Sequence, residues 1–79
     1  MEAEQISSLL KAGFKEAIVN VEKVAGHFHI TVVTAQFSGL RTVARQQLVY
    51  KILGEHISNG SIHAVVMKTY TSDEWSALD

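Results

Sequence analysis

Cysteine and proline are both missing from this 79-residue chain, tryptophan occurs once, and charged residues make up only 19% of it. Without cysteine there is no disulfide, no thiol nucleophile and no self-sufficient thiolate metal site. Without proline there is no rigid linker and no polyproline segment, and no low-complexity stretch or internal repeat divides the chain. Residues 1–79 are therefore read as a single domain, small enough that one thin core must hold it. No apolar run approaches the roughly 20 residues of a membrane span. The start, Met1-Glu2-Ala3-Glu4, is acidic and lacks the basic, then apolar, pattern of a signal peptide, so a cytoplasmic location is expected.

What is present is an ordinary globular composition, 47% hydrophobic with a formal net charge of −1. That charge provides no global drive towards nucleic acid or an anionic membrane. Its distribution is uneven, however. Lys23, Arg41, Arg45 and Lys51 fall in a stretch from Lys23 to Gly54 that holds no acidic residue, and the acids lie at both ends. Four cations solvated on different faces are the commoner meaning of such a stretch; a mildly positive middle is the other.

Periodicity predicts the elements. Ile6, Leu9, Leu10 and Phe14 follow helical spacing, with Gly13 as the expected terminator. Residues 17–22, rich in β-branched side chains, predict a strand, and residues 23–26 a turn. From His27 to Thr34 the chain alternates, with Phe28, Ile30 and Val32 facing one way and His27, His29 and Thr31 the other. Phe37-Ser38-Gly39 punctuates the end of this hairpin. A helix is predicted from Arg41 to Leu53, weakened at Gly54, with residues 55–57 as a separate short turn. Asn59-Gly60 is a turn signal, residues 61–69 predict a third strand, and Thr71 with Glu74 three residues on forms a capping box for a last helix anchored by Trp75. The order α-β-β-α-(α)-β-α, with a helical crossover between the second and third strands, implies an α+β fold. It is a three-stranded mixed sheet carrying its helices mainly on one face.

Few residues carry chemistry. His63 stands near the start of the third strand, where an imidazole can serve as a soft metal ligand if a partner brings the sulfur; more commonly a histidine there packs or is solvated. His27 and His29 share the polar face of the second strand. His56 falls near a helix end, where a cation favours the dipole. There is no Gly-rich phosphate loop, no G-x-S-x-G elbow and no His-Glu-x-x-His helix, and the chain is too small to enclose much of a pocket, so a non-enzymatic role is expected. Arg41, Arg45 and Lys51 on one helix would suit phosphate contacts, yet no two of the five glycines stand three apart, so the Gly-x-x-Gly clamp of RNA-binding KH domains is missing.

Taken in order, Phe37-Ser38-Gly39, Arg45, Val49-Tyr50, Ile62-His63-Ala64 and Thr71-Ser72-Asp73-Glu74-Trp75 resemble the successive signatures of the BolA family. The likeness spans nearly the whole chain. Through His27-Phe28, Gln46-Gln47-x-Val49-Tyr50 and Ile62-His63-Ala64-Val65 it is most similar to the short bacterial IbaG-like (YrbA) subgroup. The resemblance implies a class II KH-like fold. It also implies a partnership with a monothiol glutaredoxin, the two sharing a [2Fe–2S] cluster to which glutathione adds a thiolate, in iron–sulfur homeostasis and stress response. Imidazole in place of thiolate on one iron has precedent in Rieske centres. The family's cluster-binding histidine matches His63. The second ligand position of many relatives, in the loop between the first two strands, falls near Val24, which cannot ligate; His27 and His29 are the nearby substitutes. Some family members are described instead as DNA-binding regulators of morphology and stress, and a metal-free interaction adaptor is the third alternative.

Overall fold

The computed structural model describes residues 1–78. Its elements run α1 (Ala3–Gly13), β1 (Ile18–Val24), β2 (His27–Val33), a 3₁₀ turn (Ala35–Phe37), α2 (Thr42–Ser58), β3 (Val65–Tyr70) and α3 (Ser72–Ala77). β2 is central: it pairs antiparallel with β1 and parallel with β3, giving the expected three-stranded mixed sheet.

Cross-strand registers explain which face is dry. Val19, Val21 and Lys23 oppose Val32, Ile30 and Phe28, while Val65, Met67 and Thr69 lie beside the same three residues on the other flank. Since side chains alternate along a strand, these nine share one face. Ile6 and Leu10 of α1 and Val49 and Leu53 of α2 close over it, and Phe14, Phe37 and Ile62 complete the buried cluster. Phe14 and Phe37 meet edge to face with ring centroids 5.4 Å apart. At the margin of this face the Lys23 ammonium sits 5.6 Å from the centre of the Phe28 ring. The opposite face keeps His27, His29, Glu22, Asn20, Val66 and Lys68 exposed.

Three boundaries differ from the sequence expectation, and a fourth is as expected. β1 extends through Lys23 and Val24, so the hairpin turn is only Ala25-Gly26. Both residues have positive φ, 50° and 83°, as a two-residue turn matched to strand twist requires. α2 runs unbroken through Gly54 to Ser58, absorbing the predicted extra turn. One interior glycine costs a helix only about 1 kcal/mol, less than Leu53 and Ile57 recover by packing on the core. β3 begins at Val65 rather than Ser61. The Ile62 N–H donates to His56 O (3.1 Å), and β2 pairing is taken up only where Phe28 N–H donates to Ala64 O (2.9 Å). α1 ends at Gly13 as expected, with Phe14 after it in extended backbone rather than a left-handed cap; a Cβ at Gly13 would run into the end of the Ile52 side chain.

Candidate functional site

His63 lies in the extended lead into β3, between buried Ile62 and half-buried Ala64, with its own side chain exposed. The local chain explains this. α2 stops at Asn59, Gly60 turns with φ 84°, and Ser61 N–H donates to Asn59 Oδ1 (2.9 Å). Ile62 then plugs the core while His63, one residue on, has to face away from it. The imidazole lies against Gly60, its Cε1 3.9 Å from where a Cβ of that residue would stand.

The sheet register brings a second histidine to the same end of the molecule. Continuing the parallel β2–β3 pairing back past Phe28 and Val65 places His27 beside Ala64, the residue following His63. His27 is exposed and paired with Val24 across the hairpin, so the strand carries the Val24 side chain on the open face instead of in a loop. His29 is one step further along that face, about 7 Å down the strand. There it sits between Glu22 and Val66 in a shallow hollow of about 220 Å³ that also takes in Asn20, Thr31 and Lys68. Of the two strand histidines, His27 is the one the register places at the His63 end. Among the described residues no three histidine, aspartate or glutamate side chains converge as a metal-binding group. Among the described residues the histidines therefore stand as separate exposed donors and form no metal cage of their own.

The basic residues are placed very differently from one another. Arg41 precedes the first turn of α2 and Lys51 lies ten positions on, both exposed. At 1.5 Å per residue they stand about 15 Å apart along the axis. Arg45, between them, is turned inward with its side chain only 11% exposed. Its Nε donates to Leu40 O (2.9 Å) and its Nη1 to Thr69 O (3.3 Å). Nη1 and Nη2 grip the Glu74 carboxylate at 2.6 and 3.1 Å, and the guanidinium carbon lies 5.8 Å from the centre of the Phe37 ring. A phosphate would have to displace Glu74 to reach it. Glu74 also accepts from Thr71 N–H (2.8 Å) while Thr71 Oγ1 accepts from Glu74 N–H (3.2 Å), the capping box expected from the sequence. The Arg45 guanidinium, and after it the Thr71 N–H, hold the Glu74 carboxyl down to about 2. Local sequence spacing does not announce this clasp between α2, β3 and α3. The capping box marked Glu74 as a local partner of Thr71, but nothing in the spacing joined it to a residue 29 positions away.

The sequence profile of the family described as BolA-like protein matches residues 5–74. The chain is 38% identical over 76 residues to the acid stress protein IbaG of Escherichia coli K12, covering 96% of this chain and 90% of that one. It is 45% identical over 53 residues to the DNA-binding transcriptional regulator BolA of Vibrio cholerae, covering 67% of this chain and 49% of that protein. Among solved structures, a BolA protein homologue from Coxiella burnetii superposes with a TM-score of 0.83 at 34% identity, covering 96% and 97% of the two chains. Together with the helix-covered mixed sheet, these likenesses have one meaning: the chain belongs to the BolA-like protein family.

Proposed function

We propose that this protein is a non-enzymatic partner of a monothiol glutaredoxin, contributing His63 to a [2Fe–2S] cluster whose remaining ligands come largely from the partner and its glutathione. The observation that carries the reading is the placement of His63, an exposed imidazole held at one end of the sheet on a chain that has no cysteine. The plug of Ile62 on one side and the β2 hydrogen bond to Ala64 on the other fix its backbone, which is what a ligand to a shared cluster needs. His27 is the candidate second ligand from this chain and His29 the weaker one. When bound, the cluster would supply one-electron redox chemistry or a transferable iron–sulfur unit; the protein's part is to hold an imidazole towards it. The family resemblance supports the partner class, and the stress-protein name of the Escherichia coli relative supports a role in stress response.

The test is co-purification of the protein with a monothiol glutaredoxin and glutathione, read by visible absorption and circular dichroism. His63→Ala is expected to change the spectrum and shorten cluster lifetime, and His27→Ala to do so more weakly. Identical spectra and lifetimes for wild type and His63→Ala would remove the ligand role.

A second reading, DNA binding, is favoured by the Vibrio cholerae relative, a DNA-binding transcriptional regulator by name. On this chain it would rest on Arg41 and Lys51, since Arg45 is held by Glu74.

A further inference from the structure

We propose that Asn59 is a site of spontaneous deamidation, an ageing point at the head of the segment that carries His63. The chain has two asparagines, Asn20 and Asn59, and their settings are opposite. Asn20 lies within β1, and the next residue is the β-branched Val21, whose side chain crowds the peptide nitrogen that would have to attack. Asn59 caps the end of α2 and is followed by Gly60, which has no side chain to obstruct its nitrogen; Asn59, Gly60 and Ser61 are all exposed.

Local geometry adds to this. The bond from Ser61 N–H to Asn59 Oδ1 (2.9 Å) closes an Asx turn, folding the carboxamide back over its own peptide link to Gly60. The same donor faces the oxygen on which negative charge develops when a nitrogen adds to the carboxamide carbon, the arrangement of an oxyanion hole with one N–H. The opposing interaction is a single bond, Gly60 N–H to Ile57 O at 3.2 Å, in the last turn of a helix, where such bonds open readily.

The reaction needs only water and a base. Hydroxide or buffer base removes the Gly60 amide proton, and the nitrogen adds to Asn59 Cγ. The bond from Cγ to the side-chain nitrogen breaks and ammonia leaves with a proton, closing a five-membered imide. Water then opens either carbonyl to give aspartate or isoaspartate, so ammonia is lost and water gained. The first product places a new carboxylate at the turn on which the His63 ring rests; the second also inserts a methylene into the backbone three residues before Ile62. The inference is independent of any cluster on His63.

The experiment holds the folded, full-length protein in mildly alkaline buffer and follows both asparagine-containing peptides by mass mapping, with isoaspartyl methyltransferase labelling of the product. Asn59 is expected to convert on the order of ten times faster than Asn20, whose β-branched successor shields its amide. Both aspartate and isoaspartate should appear, and Asn59→Gln should abolish the signal, because its longer side chain would have to close a slower-forming six-membered imide. The proposal is overturned if folded Asn59 stays amidated while the urea-unfolded chain converts, since the helix end then protects it. Loss of amide at Asn59 no faster than at Asn20 overturns it equally.

Discussion

Arg45 shows how far a residue's role can depart from its charge. Read in sequence it is one of three cations on a helix; in the fold it is a brace. Its guanidinium donates to two backbone carbonyls and one carboxylate on three separate segments. Arg45→Ala is expected to lower stability to urea by about 2 kcal/mol, the scale of losing charge-assisted hydrogen bonds together with the packing of a long stem. Lysine at this position should recover only part of it, because a point charge cannot make the two-pronged contact with Glu74. The pH dependence follows from the direction of the shift. Glu74 is held well below its ordinary 4.5, at about 2. Its contribution is therefore fully present above 4.5 and is lost as pH falls from there to about 2. Wild type should lose more stability than Glu74→Gln across that window and no more above it, which acid titration followed by circular dichroism would show. His63 is the complementary case. The motif Ile62-His63-Ala64 was legible, but its exposure depends on a strand that starts later than the sequence predicts, because Ile62 bonds back to α2 instead of to β2.

At the scale of elements, the alternation of β2 was legible because period-two patterning reports directly on a half-buried sheet. Its helix-facing residues Phe28, Ile30 and Val32 are all buried. The misplaced boundaries were those decided by long-range contacts. Gly54 looked like the end of α2, yet the helix continues because Ile57 has a core to reach. Two glycines make this testable in opposite directions. At Gly54 an added Cβ meets nothing within 4 Å, so Gly54→Ala should stabilise α2 by about 0.5–1 kcal/mol. At Gly26, φ is +83°, so Gly26→Ala should destabilise the hairpin by about 1–2 kcal/mol although it too has room. Thermal melts of the two variants, moving apart in opposite directions from wild type, would check the pair.

For the whole molecule the question is which surface remains free to act. Helices cover one face of the sheet, leaving the His63 and His27 end, the open face around His29, and the outer side of α2 where Val43 is 64% and Tyr50 45% exposed. With Arg45 withdrawn, the predicted cation trio reduces to Arg41 and Lys51. Two phosphate contacts on duplex DNA correspond to a slope of log affinity against log salt of about −2. Fluorescence anisotropy of a labelled duplex across a salt series should therefore show a slope no steeper than that. A much steeper one would mean that other cations, or a second copy, join the interface.

Composition and local pattern settled the parts of this protein that depend on near neighbours. They account for the order of helices and strands, the dry and wet faces of β2, the Thr71–Glu74 cap, and a family likeness carried by ordered motifs. Tertiary structure alone decided that Arg45 braces α2 against β3 and α3 through Thr69 and Glu74, that α2 outlasts its glycine, and that the register carries His27 rather than His29 to the His63 end. The physical reason is the same in each instance. Those outcomes depend on partners 24 to 29 residues away, on a distant core for Ile57 to pack against, or on the register between strands joined by a long helix, and no pattern within a window of the sequence encodes them.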